Sequence, residues 1–215
     1  MMKKRLVAGL AAGFVGLGMV ATANADLIFS FTESGGHVLM QSSGTLNTAN
    51  LVAGENAWWG GRGIETNGVP ESDIMGDTTM GGLNLYFGFH DGTDMSAWVG
   101  GLFTQSYFNW NGTGTTQFAT WVWDGMRTPG ISIASEDLVG NLWTPDVSWS
   151  TMTDATLAGL GLTEGVYTIT DAVTSEYISI QIGPQNAPVP EPATMLLFGT
   201  GLAGFAGSRL RKKNH

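Results

Sequence analysis

The basic residues of this chain are segregated to its two ends. Residues 3–5 are basic and precede an apolar run, and a second basic group follows another apolar run near the carboxyl end. Between residues 6 and 208 only Arg62 and Arg127 are basic, although that region holds all 18 acidic residues. Basic groups beside apolar runs are typical of ends that stay on the cytoplasmic side of a membrane. The pattern therefore predicts an exported, anionic middle between two targeting segments.

The amino end predicts a secretory signal peptide over residues 1–25. After the basic residues and the apolar run, Ala23 and Ala25 form the small-x-small pattern that is typical of signal cleavage. We expect the cut after Ala25, which leaves Asp26 as the first mature residue, with a cut after Ala23 as the alternative. Because the chain has no cysteine, a lipid-modified amino end and a disulfide framework are both excluded.

The carboxyl end predicts a sorting segment over residues 188–213. It opens with a motif that cannot continue a helix or pair within a central strand, and that we expect to be extended. The motif consists of Val189, Pro190, Glu191 and Pro192. The segment closes with a tail at 209–213 that we expect to stop transfer across the membrane. Its basic residues are Arg209, Arg211, Lys212 and Lys213.

Between motif and tail, residues 193–208 are predicted to form a transmembrane helix. The uncharged part, residues 193–207, would extend about 22 Å as a helix, which is short of a hydrocarbon core of about 30 Å. Snorkelling basic residues would have to make up the difference. A marginal anchor of this kind suits a segment that is held in the inner membrane transiently and then removed.

Together, Pro190-Glu191-Pro192, the apolar stretch and the basic tail resemble a PEP-CTERM sorting signal. In that family an exosortase, a membrane-embedded cysteine protease, recognises the tripeptide and cuts near it. The resemblance implies a precursor anchored in the inner membrane, exosortase as a processing partner, and a destination at the cell surface or outside the cell. It also implies a Gram-negative host that makes exopolysaccharide, and hence a biofilm setting.

The middle of the chain, residues 26–187, predicts one all-β ectodomain. Its short apolar runs are separated by glycine-rich turn signals, which is typical of strands. We expect an opening hairpin from 27–32 and 37–41, and a closing hairpin from 166–170 and 176–182. Residues Ile178, Ile180 and Ile182 alternate with polar residues in the last run and should share one face.

Further strands are predicted at 83–89 and 118–123, and only 153–160 is predicted to be helical. Many short strands with almost no helix favour a single β-sandwich of the jelly-roll or immunoglobulin-like type.

No arrangement that is typical of catalysis occurs in the predicted ectodomain. Its only histidines are His37 and His90, and neither H-E-x-x-H nor G-x-S-x-G is present. Two arginines provide no clustered positive charge for a nucleic acid. We therefore expect a non-enzymatic domain without a cofactor and without a nucleic-acid partner.

Acidic loop residues leave calcium binding open as an alternative. They form two groups, Glu71, Asp73 and Asp77 in one and Asp91 and Asp94 in the other. Calcium prefers oxygen ligands, but neither group has the EF-hand spacing. Solvated loops that keep an anionic domain soluble explain the same residues without a metal.

The tryptophans suggest carbohydrate binding as a specific hypothesis. All eight lie between residues 58 and 149, and indole faces can stack on the apolar faces of pyranose rings. Most are expected to fill the core. Trp58 and Trp59 occupy a glycine-containing, loop-like segment and are the better candidates for contact with extracellular polysaccharide. The leading hypothesis is a non-enzymatic surface or matrix protein, and a lectin-like module is the alternative.

Overall fold

The computed structural model describes residues 26–54, 59–66, 72–122 and 129–184. This part of the chain is all-β, as predicted, with single turns of 3-10 helix at Ser135–Asp137 and Ala158–Leu160. The strands, in chain order, are β1 Asp26–Ser34, β2 His37–Ser43, β3 Leu46–Asn47, β4 Val52–Ala53, β5 Arg62–Ile64, β6 Ser72–Asp77, β7 Leu85–Gly88, β8 Trp110–Thr113, β9 Phe118–Val122, β10 Gly130–Ile133, β11 Leu138–Val139, β12 Leu142–Trp143, β13 Ser148–Thr151, β14 Gly165–Thr170 and β15 Tyr177–Ile182.

Two six-stranded sheets and one small sheet organise these strands. The first sheet has the order β14-β15-β1-β2-β13-β8, and the second has the order β4-β7-β10-β9-β6-β5. The small sheet contains β11, β12 and β3. All neighbours in the two large sheets are antiparallel except β1 and β15, which run parallel. The last strand therefore lies directly beside the first.

Both predicted hairpins are confirmed. Strands β1 and β2 join through a two-residue turn at Gly35 and Gly36, whose φ angles of 60° and 85° are of the kind that favours glycine. β14 and β15 pair antiparallel over their full lengths. Strict alternation in β1 buries Leu27, Phe29 and Phe31 on one face.

The two large sheets share one hydrophobic core. Phe29 of β1 stacks on Phe118 of β9 with ring centroids 4.9 Å apart, and Phe118 in turn stacks on Trp149 of β13 at 5.9 Å. Ile178, Ile180 and Ile182 all lie in this core, as their predicted common face requires. The faces that meet are therefore the apolar faces that alternation marks out in the sequence.

The predicted helix at 153–160 is wrong. Only Ala158–Leu160 forms a helical turn, and Gly161 ends it with a φ of 69°. The Thr156 hydroxyl accepts the Gly159 N–H at 3.0 Å, and the Glu33 carboxylate accepts the Leu157 N–H at 2.7 Å. Side chains thus take over backbone donors, which favours a tight turn over a continued helix.

The other strand predictions hold with shorter bounds. The run predicted at 83–89 is β7, and the run predicted at 118–123 is β9, with Trp123 outside the described residues. Within the part of the chain that the structure describes, no helix is both long enough and apolar enough to span a bilayer. The predicted signal peptide at 1–25 and transmembrane helix at 193–208 lie outside that part.

Candidate functional site

Five of the eight tryptophans are buried, in agreement with the expectation that most of them fill the core. They are at most 2% exposed, and they are Trp98, Trp110, Trp121, Trp143 and Trp149. Trp59 is half-buried, whereas Trp58 lies outside the described residues. Among the described tryptophans, Trp59 is therefore the candidate that remains for contact with a ligand.

Trp59 lies on the outer face of the second sheet. Alternation along β9 directs Phe118 and Val122 into the main core and Ala119 and Trp121 to the opposite face. Trp59 packs against Ala119 and Trp121 there. The sheet thus carries apolar side chains on both faces.

Small residues make a flat floor beneath this outer layer. Gly63 of β5 is paired with Gly76 of β6, and Gly76 is paired with Ala119 of β9. A Cβ on Gly76 would lie 2.7 Å from the Trp59 ring, and a Cβ on Gly63 would clash with the Phe108 ring. Paired residues of adjacent strands project from the same face of a sheet. Two aromatic rings therefore lie side by side because two glycines lie side by side.

Trp59 and Phe108 form what we call the aromatic platform. Their ring centroids are 6.0 Å apart with an interplanar angle of 40°, and Phe108 is 44% exposed. The Nε1 atom of Trp59 is buried and has no hydrogen-bond partner among the described residues. The accessible surface of the indole is therefore carbon. Such a platform can stack against an apolar ligand face, but it offers no indole N–H to a ligand.

Asp77 does not fit the proposed calcium group. It is 6% exposed, and its carboxylate accepts hydrogen bonds from Arg62 Nε at 2.6 Å, Thr79 Oγ1 at 2.6 Å and Trp149 Nε1 at 3.2 Å. The acceptor sites of the carboxylate are therefore occupied by protein donors. The explanation of Asp77 as a solvated loop residue is likewise wrong, because Asp77 ends β6 in the interior.

The remaining acidic candidates that the structure describes do not form a metal-binding group. Glu71 lies outside the described residues, and Asp73 lies in β6. Asp94 accepts the Ser96 N–H at 2.9 Å, and hydrogen bonds from the Ser96 backbone and side chain lower the pKa of Asp94. Over the described ranges, no three His, Asp or Glu side chains are grouped so as to hold a metal ion.

His90 has a partner that sequence reasoning missed. Its Nδ1 lies 3.0 Å from the buried carboxylate of Asp171, and its backbone N–H donates to the same carboxylate at 2.5 Å. Asp171 also accepts the Thr174 N–H at 2.7 Å and the Thr174 hydroxyl at 2.8 Å. Burial raises the pKa of Asp171, but these hydrogen bonds outweigh burial and lower it to about 2.

Only part of the contact between His90 and Asp171 could have been predicted from the sequence. Asp171 and Thr174 are three residues apart, which is the local spacing of an Asp side chain that organises a turn. His90 is 81 positions away from Asp171, and no sequence pattern joins the two. The arrangement ties the β14–β15 turn to the loop after β7.

A cleft of about 810 Å³ lies at the β1–β2 turn. Its wall includes Glu33, Gly36, Tyr107, Asp154 and Thr156. Both carboxylates are exposed to solvent, and Glu33 is already bonded to the Leu157 N–H. The cleft therefore offers hydroxyl, carboxylate and aromatic groups, without a lysine or arginine among its lining residues.

The predicted processing residues lie outside the described part of the chain. Ala23 and Ala25 precede it, and the sorting motif at 189–192 and the basic tail at 209–213 follow it. Comparison with known proteins bears on the carboxyl end, where the family model for the PEP-CTERM protein-sorting motif matches residues 188–212. No curated protein and no solved structure matches the chain.

The matched residues contain the predicted motif, the apolar segment and most of the basic tail. This motif is the recognition signal for exosortase processing, and it implies export and sorting to the cell surface. The chain therefore carries a PEP-CTERM protein-sorting motif at residues 188–212.

Proposed function

We propose that the mature chain is a non-enzymatic surface or matrix protein of a Gram-negative bacterium that makes exopolysaccharide. Its precursor carries a signal peptide over 1–25 and is held in the inner membrane by 193–208 until exosortase acts. The sorting motif is the observation that carries this proposal. The all-β domain, which contains no cysteine, would be the exported part of the chain.

The arrangement of polar groups supports a non-enzymatic role. Histidine and carboxylate pairs are common in catalysis, but the Asp171 carboxylate accepts three donors from its own turn in addition to His90. Its hydrogen bonds thus serve the loop that contains it. The test is incubation of the exported protein with the host's exopolysaccharide, followed by measurement of new reducing ends. Their appearance would contradict the proposal.

Sorting is tested in the host with the Pro190→Ala/Glu191→Ala double variant. We expect wild-type protein in the surface and extracellular fractions, and the variant as an unprocessed precursor in the inner-membrane fraction. A matched variant of the spacer, Gln185→Ala, should be processed normally. Equal surface delivery of the double variant and the wild type would contradict the role of the motif.

Binding of extracellular polysaccharide is a second candidate function, and the aromatic platform favours it. The two rings present carbon surface on a glycine floor, and rigid aromatic surface of this kind suits stacking against sugar rings. Because the Trp59 N–H is buried, stacking rather than hydrogen bonding would supply the affinity.

The platform is tested by cosedimentation with the host's exopolysaccharide. We expect Trp59→Ala and Phe108→Ala each to weaken binding about threefold to tenfold, the range that loss of one aromatic contact supports. Trp59→Phe should retain more affinity than Trp59→Ala, because it keeps an aromatic ring, although that ring is smaller than the indole. The control is Val139→Ala, since Val139 is 79% exposed on the small sheet. Binding unchanged in both platform variants would exclude this site.

A further inference from the structure

Three acidic residues lie at the end of the sheet where the first strand begins. Asp26 opens β1 and is paired with Tyr177 of β15, and Glu176 immediately precedes Tyr177. The Asp171 N–H donates to the Glu176 carbonyl at 2.8 Å, which brings the third acidic residue to the same end of the sheet. We call Asp26, Asp171 and Glu176 the amino-end carboxylates.

The described residues around this group do not provide enough positive charge to neutralise its carboxylates. Glu176 is 9% exposed and accepts one hydrogen bond, from the Asn47 N–H at 3.0 Å. Burial raises the pKa of Glu176 despite that bond, and the nearby carboxylates of Asp26 and Asp171 raise it further. His90 is bonded to Asp171, and Arg62, the one Lys or Arg within the described ranges, is bonded to Asp77.

A second observation points to a missing donor. The Oδ1 atom of Asp26 is buried, and no described residue donates a hydrogen bond to it. A buried carboxylate oxygen without a donor is costly. The position of Asp26 is nevertheless well defined, because its carbonyl accepts the Thr45 N–H at 3.3 Å and leaves no room for a side chain on Gly44.

We infer that the amino-end carboxylates are the binding site for the α-ammonium group that signal cleavage creates on Asp26. Hydrolysis of the Ala25–Asp26 amide consumes one water. The Ala25 carbonyl leaves with the signal peptide as a carboxylate, and the Asp26 nitrogen becomes an ammonium group with three donors. That group is bonded to the Cα that carries the side chain with the unpartnered oxygen, so it lies at the end of β1 that pairs with Tyr177.

Cleavage at this bond would thus stabilise the folded domain as well as separate it from the signal peptide. In the precursor the Asp26 nitrogen is a neutral amide, and the three carboxylates only repel one another. In the mature chain the new cation lies at the start of the β1–β15 pair, which joins the first strand to the last. Cleavage two residues earlier, after Ala23, would leave the ammonium group on Asn24 and separate it from the site.

The sign of the pH dependence follows from the charges. An α-amino group has an ordinary pKa of about 7.7–8.0, and carboxylates that favour the ammonium form raise it. The stabilisation is then fully present below the ordinary pKa and is lost as pH rises through the raised value. The titratable groups around the cation are Asp26, Glu176 and Asp171, with His90 beyond Asp171.

The test compares two full-length chains purified after export from the same host. One is the wild type, and the other has a glycine inserted between Ala25 and Asp26, which moves the ammonium group one residue away. Mass spectrometry should show Asp26 as the first residue of the wild type, and a different amino end would overturn the inference. In urea unfolding at pH 7, the wild type should have the larger unfolding free energy. The unfolding equilibrium constants of the two chains should differ about tenfold for each pH unit by which the carboxylates raise the pKa of the α-amino group. The two chains should converge at pH 10.

The Glu176→Gln substitution then distinguishes loss of the ammonium–carboxylate interaction from a structural change in the strand that the inserted glycine causes. In the wild type the substitution should destabilise, because it removes a partner of the cation. In the glycine-extended chain it should be neutral or stabilising, because it removes repulsion among carboxylates. Glu136→Gln, at an exposed site, is the matched control and should have the same small effect in both chains. An equal effect of Glu176→Gln in the two chains would overturn the inference.

Discussion

Gly63 and Gly76 show how a single residue type arranges an entire surface. They are paired across β5 and β6, and each leaves space that an aromatic ring occupies. Both lie in strands, where glycine is otherwise unfavourable because it adds no packing and loses more entropy than other residues. Their presence in these strands is explained by the close approach of Trp59 and Phe108.

Gly76→Ala should destabilise the protein by about 1–3 kcal/mol, because the new methyl group would overlap the Trp59 ring and the Phe118 carbonyl oxygen. The measurement is urea unfolding followed by circular dichroism. Gly82→Ala is the control, since a Cβ at Gly82 would have open space around it, and its effect should stay within about 0.5 kcal/mol. Equal effects of the two substitutions would contradict the close packing at Gly76.

Asp171 should make the protein sensitive to strong acid. Its folded pKa of about 2 lies below the ordinary value of 3.8, so it contributes stability above about pH 4 that is lost as pH falls towards 2. The contribution is on the order of 2 kcal/mol. In urea unfolding between pH 5 and pH 2, Asp171→Asn should show a smaller decline than the wild type. Asp154→Asn, whose side chain is 92% exposed, should decline as the wild type does.

Among the strands, β15 is the one that joins the closing hairpin to the first strand of the chain. It lies between β14 and β1, so it completes the closing hairpin and also pairs with the first strand of the chain. Its isoleucines face the main core, and its polar residues face the other side. The hairpin with β14 is local in sequence, whereas the parallel pair with β1 joins residues about 150 positions apart. One strand thus links local folding to closure of the whole sheet.

The two faces of β15 should respond differently to truncation. Ile180 is fully buried, and Ile180→Ala should cost about 2–5 kcal/mol by leaving a cavity in the core. The neighbouring Gln181→Ala should change the unfolding free energy by no more than about 0.5 kcal/mol, because Gln181 faces away from the core. Both are measured by urea unfolding. Similar losses of unfolding free energy for the two substitutions would contradict the orientation of β15 in which Ile180 faces the core and Gln181 faces away from it.

At the scale of the whole molecule, an internal ion pair connects the two large sheets. Arg62 and Asp77 belong to the second sheet, and the Asp77 carboxylate also accepts the indole N–H of Trp149 in the first. The Arg62 guanidinium lies against Gly112 of β8, where any side chain would clash with it. The pair therefore holds the β5–β6 edge against the first sheet.

Arg62→Met should be among the most damaging single substitutions, with a loss of about 3–5 kcal/mol, because it leaves Asp77 buried without its counterion. The Arg62→Met/Asp77→Asn double variant should recover part of that loss, since it removes the uncompensated charge. Thermal and urea unfolding of the two variants and the wild type measure the difference. A double variant as unstable as Arg62→Met would contradict a buried carboxylate as the cause.

The sequence by itself determined most features that depend on neighbouring residues, with the wrongly predicted helix at 153–160 as the exception. Basic groups, apolar runs and the Pro190-Glu191-Pro192 motif act within short segments, so the sorting signal is readable without a fold. Alternation of side chains and glycine turns is also local, and it predicted the all-β class and both hairpins. Only the tertiary structure decided which tryptophans are buried, that β1 lies beside β15, that His90 binds Asp171 and that Asp77 is an interior anion. Each of these depends on contacts between positions far apart in the chain, and packing selects such contacts from many that the same local pattern allows.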